Sequence, residues 1–128
     1  PRLVLGTTKD GLNFSEPAAA YASNRVLREE TAQTLRKLMV SVVEKGSGRT
    51  AKPLIGGAGG KTSSAQTGQY REEDGKEIVH AWFAGFYPAD QPKYSIVVFV
   101  EGGESGERIA APIFKGIVDG IAKGKLGA

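Results

Sequence analysis

At 128 residues, with no cysteine and one histidine, the chain has room for a single domain with one core. Its composition excludes thiol catalysis, disulfides, Cys-based zinc sites and histidine clusters. The net charge of +3 comes from 17 basic residues scattered among 14 acidic ones, with no basic stripe, so nothing favours nucleic acid as a partner.

In chain order, residues 1–24 read as an irregular lead-in, with Gly6, Gly11 and Pro17 interrupting short apolar stretches such as Leu3 to Leu5. The chain opens at Pro1 without an initiator Met, a basic segment or an apolar signal segment, and is expected to be a piece of something longer. From Glu29 to Glu44, Leu35, Leu38, Met39, Val42 and Val43 recur at helical spacing. Acidic Glu29 and Glu30 fall in the first turn, and Gly46 is placed to supply a left-handed stop.

Gly46 to Gly60 reads as a loop with a short apolar step at Leu54 and Ile55, leading into a strand. A polar excursion from Gly68 to Glu77 ends in the turn signal Asp74-Gly75. Two strands follow, Val79 to Tyr87 and Tyr94 to Val100, rich in aromatic and β-branched residues and separated by PADQPK. That short separation permits an antiparallel hairpin and excludes a parallel crossover. Neither strand alternates cleanly between apolar and polar residues, so cover is expected on both sheet faces. Ile109, Ile113, Phe114, Ile117, Val118 and Ile121 mark a last amphipathic helix, with Pro112 tolerated in its first turn and Gly124 able to end it. No apolar run approaches the roughly 18 residues that a membrane span needs.

The stretch GGAGGKTSSAQTG, Gly56 to Gly68, invites comparison with a phosphate-binding loop. A loop of that type needs GxxxxGK[ST] with the Ser or Thr opening a helix. Counting back from Lys61, the first glycine falls on Ile55. The polar, Gly-broken residues after Thr62 have no helical periodicity, so an extended segment is expected and a nucleotide site is disfavoured. The plainer alternative is that the glycines let a strand lie close to a neighbour, with Lys61 merely solvated.

Over a longer window the order GGKTSSAQTG, HAWFAGFYP, YSIVVFVE and AAPIFKGIVDGI, preceded by RVLREETAQTLRKLMVSVVEKGSG, resembles the C-terminal part of the transpeptidase domain of penicillin-binding proteins. The family carries Ser-x-x-Lys, Ser-x-Asn and Lys-Thr-Gly motifs. The third stands here as Lys61-Thr62-Ser63, with Ser63 in the glycine place. None of the serines from Ser15 to Ser105 has Lys three residues on, and no Ser-x-Asn occurs.

The resemblance covers residues 25–123 and implies a single α+β domain over 1–128, an antiparallel sheet of three or more strands covered by helices on both faces, forming part of a larger transpeptidase-like sandwich. It also implies that the parent is a serine-type peptidoglycan D,D-transpeptidase and that this chain alone, lacking the nucleophile, is inactive. In that role Lys61 supplies positive potential beside the absent serine and helps organise proton transfer. The backbone N–H of Ser64 is the second oxyanion donor. Thr62 and Ser64 hydroxyls hydrogen-bond the substrate carboxylate, Gln66 contacts the leaving or incoming peptide, and Ser63 narrows the substrate cleft or points away from it.

No cofactor or metal is expected. The implied partners are the peptidoglycan stem peptide ending in D-Ala-D-Ala, β-lactams and the remainder of the domain, whose absence would leave apolar surface that favours oligomers. The implied location is the extracytoplasmic face of the cell membrane, with the anchor in a preceding segment; the lack of cysteine suits that compartment. The alternative is a non-catalytic peptide- or partner-binding module derived from the same fold. His80 reads as a structural histidine in a strand, Trp82, Phe83, Phe86 and Tyr87 as core, and the run Arg71 to Lys76 as a solvated loop.

Overall fold

The structure, a computed structural model, describes Gly11 and residues 25–124. The rest of the 1–24 lead-in lies outside the described residues. The first element, α1 (Glu29–Lys45), carries Glu29 and Glu30 at its positive end and Lys45 in its last turn, matching the backbone dipole at both ends. Only Val43 on it is fully buried, while Leu35 and Leu38 stay 45% and 59% exposed. Arg36 donates to the carbonyls of Ala89 (2.8 Å) and Asp90, tying the helix to a distant turn.

Gly46 does not end α1 in the left-handed conformation expected of it, since its φ is −103°. Proximity explains the glycine instead: a Cβ there would stand 3.0 Å from the backbone of Val42. A short 3-10 turn (Arg49–Ala51) then leads into the loop before the sheet.

Among the described residues the sheet has three antiparallel strands in the order β1-β2-β3: β1 (Gly59–Tyr70), β2 (Glu77–Tyr87) and β3 (Tyr94–Val100). β1 pairs Thr62 with Phe83 and Ser64 with Ala81, and β2 pairs Phe83 with Val98. Its register shifts between Gln66 and Tyr70, where Gly68 takes a φ of +72° and Thr67 Oγ1 donates to the Ile78 carbonyl. The expected turn at Asp74-Gly75 closes the hairpin. Gly75 has a φ of +65°, and the Asp74 carboxylate accepts from the Lys76 amide at 3.1 Å and from Arg71.

Because directly opposed residues share a face, Ala81, Phe83 and Tyr87 point one way with Val98 and Thr62. Helix α2 (Ala111–Ala122) covers that face, setting Phe114 against Phe83 with ring centroids 4.6 Å apart and burying Val118 beside them. The opposite face carries Trp82, Val97 and Phe99, which remain 37%, 64% and 47% exposed. Within the described residues, helical cover therefore lies over one face.

A π-helical turn (Gly106–Ala110) runs straight into α2, and its geometry is visible in the Ala111 amide bonding to the Gly106 carbonyl. Pro112 sits in the first turn of α2, where it has no N–H to offer. The Glu107 carbonyl is taken instead by the Thr50 hydroxyl. Gly124, with a φ of +68°, stops the helix as its sequence position suggests.

Candidate functional site

Gly59 and Gly60 of GGAGGKTSSAQTG serve packing. A Cβ on Gly59 would stand 2.2 Å from the Phe86 ring, and one on Gly60 would stand 2.3 Å from the Phe83 ring. Each thus leaves room for an aromatic ring of β2, one on either face. After Thr62 the chain continues as a strand to Tyr70 and forms no helix, which removes the phosphate-loop reading.

Among the described residues β1 is an edge strand, hydrogen-bonded to β2 alone. An edge presents unpaired backbone groups to one side and can receive an extended peptide as a further strand. The strand pleat divides the candidate residues between its faces. Lys61 and Ser63 lie opposite Ala84 and Trp82, whereas Thr62 and Ser64 lie opposite Phe83 and Ala81. The motif thus offers an ammonium on one side of the edge and two hydroxyls on the other.

Their surroundings differ. Lys61 is exposed and its Nζ turns back to donate to the Thr62 carbonyl. Thr62 is only 8% exposed, and its hydroxyl lies 2.8 Å from that of Ser47. Ser63 is exposed on the Lys61 side. The exposed Ser64 has its Oγ fixed by the Gly106 amide at 3.3 Å. Gly106 sits so close to the sheet that a Cβ would fall 2.4 Å from the Ser63 carbonyl and 2.5 Å from that of Trp82. Gln66 donates to the Glu77 carboxylate across the hairpin at 2.7 Å, so it stands apart from the Lys61 to Ser64 group.

Two contributors escaped sequence reading, Ser47 and Gly106. Their partners are 15 and 42 residues away in the chain, and no local pattern encodes such contacts. His80 has a structural place: its Nδ1 accepts from the Gly102 amide at 3.1 Å and its ring meets Phe99 edge-on. Of the four aromatic residues read as core, Phe83 and Tyr87 are buried, Phe86 is half-buried and Trp82 is on the open face. Among the described residues no cluster of His, Cys, Asp or Glu could hold a metal ion. None of their helices is long and apolar enough to cross a membrane.

Comparison with known proteins gives this geometry a context. The family model of the penicillin binding protein transpeptidase domain matches residues 1–119. A probable peptidoglycan D,D-transpeptidase, PenA of Neisseria gonorrhoeae, is 36% identical over 131 residues, covering 93% of this chain and 22% of that protein. Stage V sporulation protein D of Bacillus subtilis is 36% identical over 104 residues, 76% of this chain and 16% of that protein. The chain thus spans about a fifth of the length of the curated relatives it matches. Among solved structures, penicillin-binding protein A from M. tuberculosis, as an imipenem acyl-enzyme complex, is similar with a TM-score of 0.63 at 26% identity, over 88% of this chain and 24% of that one.

Proposed function

The chain belongs to the penicillin-binding protein transpeptidase family, and from that premise we propose that it forms one wall of the acylation site of a peptidoglycan D,D-transpeptidase. The observation that carries the reading is the edge strand at Lys61 to Ser64, which among the described residues pairs with β2 alone and carries an ammonium on one face and two hydroxyls on the other. Such an edge suits an extended peptide that ends in a carboxylate.

In the proposed reaction a serine in the remainder of the domain attacks the carbonyl of the penultimate D-Ala. The terminal D-Ala leaves as its amine, and the acyl group passes to the amine of a second stem peptide. The Ser64 N–H shares the developing oxyanion with the amide of the nucleophile. Thr62 and Ser64 hydroxyls hold the terminal carboxylate, and Lys61 adds positive potential and aids proton transfer near the serine. Gln66 is assigned to the leaving or incoming peptide, which requires it to exchange its bond to Glu77. A β-lactam would follow the first step, its ring amide opening to leave the serine acylated.

This chain contributes no nucleophile of the Ser-x-x-Lys type, so the proposal makes it inactive by itself. The parent is proposed to work at the extracytoplasmic face of the membrane, held by a segment that precedes this one. Ser63 in the glycine place favours a second reading, a non-catalytic binding module, because a side chain there takes space from substrate. A parent gene without Ser-x-x-Lys and Ser-x-Asn upstream would select that reading. The catalytic reading is tested by labelling the full-length parent with a fluorescent penicillin. Lys61→Ala should slow acylation by about 100-fold or more, and an unchanged rate would refute the role given to the strand.

A further inference from the structure

We propose that Ser47, outside the motif, is a positioning residue that donates its hydroxyl proton to Thr62 and thereby leaves the Thr62 proton free for the substrate carboxylate. The inference rests on the reading of Lys61 to Ser64 as an anion-holding strand.

Local sequence fixes the place of Ser47. The carbonyl of Val42, in the last turn of α1, accepts the amides of both Gly46 and Gly48 at 3.0 Å each, which folds Gly46-Ser47-Gly48 back over the helix end. Both flanking positions are tight for a side chain. A Cβ on Gly46 would stand 3.0 Å from the Val42 backbone, and one on Gly48 would stand 3.1 Å from Val42 Cγ1. Between these two glycines Ser47 is held with its Oγ 2.8 Å from Thr62 Oγ1.

The rest follows from counting protons. Each hydroxyl has one proton and two acceptor lone pairs, and the pair shares one hydrogen bond whose direction is open. With Thr62 as donor, its only proton is spent on Ser47 and it has nothing to give an anion. With Ser47 as donor, the Thr62 proton is free, and the bond that Thr62 accepts strengthens the one it makes. A carboxylate, which only accepts, selects the second direction. The result is a chain from Ser47 O–H to Thr62 O–H to the carboxylate. Thr62 is 8% exposed, so solvent is a poor substitute for Ser47 at its inner side.

The test uses the full-length parent and two probes, a penicillin with its free carboxylate and the methyl ester of the same compound, with the dissociation constant before acylation and the acylation rate constant measured separately. Ser47→Ala should raise the dissociation constant of the free acid about two- to tenfold and leave that of the ester unchanged. Ser47→Thr should restore the wild-type value. Equal weakening of acid and ester, as a purely structural role would give, overturns the proposal. So does no change in either, or failure of Ser47→Thr to rescue. Should Ser47→Ala fail to fold, Ser47→Cys keeps the size, weakens the donor and must show the same selective loss. A wild-type parent that neither compound acylates refutes the reading of the site itself.

Discussion

At the residue scale, Ser63 is the departure with a direct chemical consequence. It stands exposed on the Lys61 side of the strand, at the position where the family motif has no side chain. Ser63→Gly in the parent should raise acylation several-fold, most for β-lactams with bulky side chains, because substrate can then approach the strand more closely. Slower acylation by that variant would mean that the Ser63 hydroxyl is a contact and not an obstacle. A second residue-scale prediction concerns Asp119, whose carboxylate accepts from Lys115 and, at 2.8 Å, from the Leu54 amide. The hydrogen bond from Lys115, followed by that from Leu54, holds its carboxyl below the ordinary value of 3.8. Its contribution to stability is therefore complete above that ordinary value and is lost as pH falls through the lower folded value. A series of thermal melts should show this acid loss in the wild-type chain and a flatter acid limb in Asp119→Asn.

At the element scale, the face of the sheet under α2 depends on Phe83. Its ring lies over Gly60 and against Phe114, so Phe83→Ala should cost about 3–5 kcal/mol in chemical denaturation. The same paired geometry gives Gly106→Ala a distinct effect. Carbonyls at 2.4 and 2.5 Å cannot coexist with a Cβ, so the turn or the strand must shift at Ser63 and Ser64. Acylation of the parent should fall, with the fold retained by circular dichroism. Much of this scale was legible in the sequence. Aromatic and β-branched runs marked β2 and β3, and helical spacing with acidic and basic ends marked α1. The Gly46 conformation was misread because a left-handed cap and a close backbone approach both select glycine, and the letter does not say which. The separation of Lys61 from Thr62 across the strand was available from period-two alternation alone. The bonds of Ser47 and Gly106 to the motif were not, since they join elements far apart in the chain.

At the scale of the whole molecule, apolar surface stays open among the described residues. Trp82, Val97 and Phe99 form an apolar group on the uncovered sheet face, and Leu35 and Leu38 show the apolar stripe of α1 to solvent. The sequence indicated that both sheet faces need cover, and the chain spans about a fifth of its relatives. Expressed by itself, it should self-associate with rising concentration in light scattering, and Val97→Lys should lessen that association. A concentration-independent monomer would contradict this expectation.

The decisive experiment sets the chain beside its full-length parent in reaction with a fluorescent penicillin. The parent should be covalently labelled, with the label on a serine outside this segment, and the chain alone should carry none. A label carried by the isolated chain, or a parent that stays unlabelled, would contradict it.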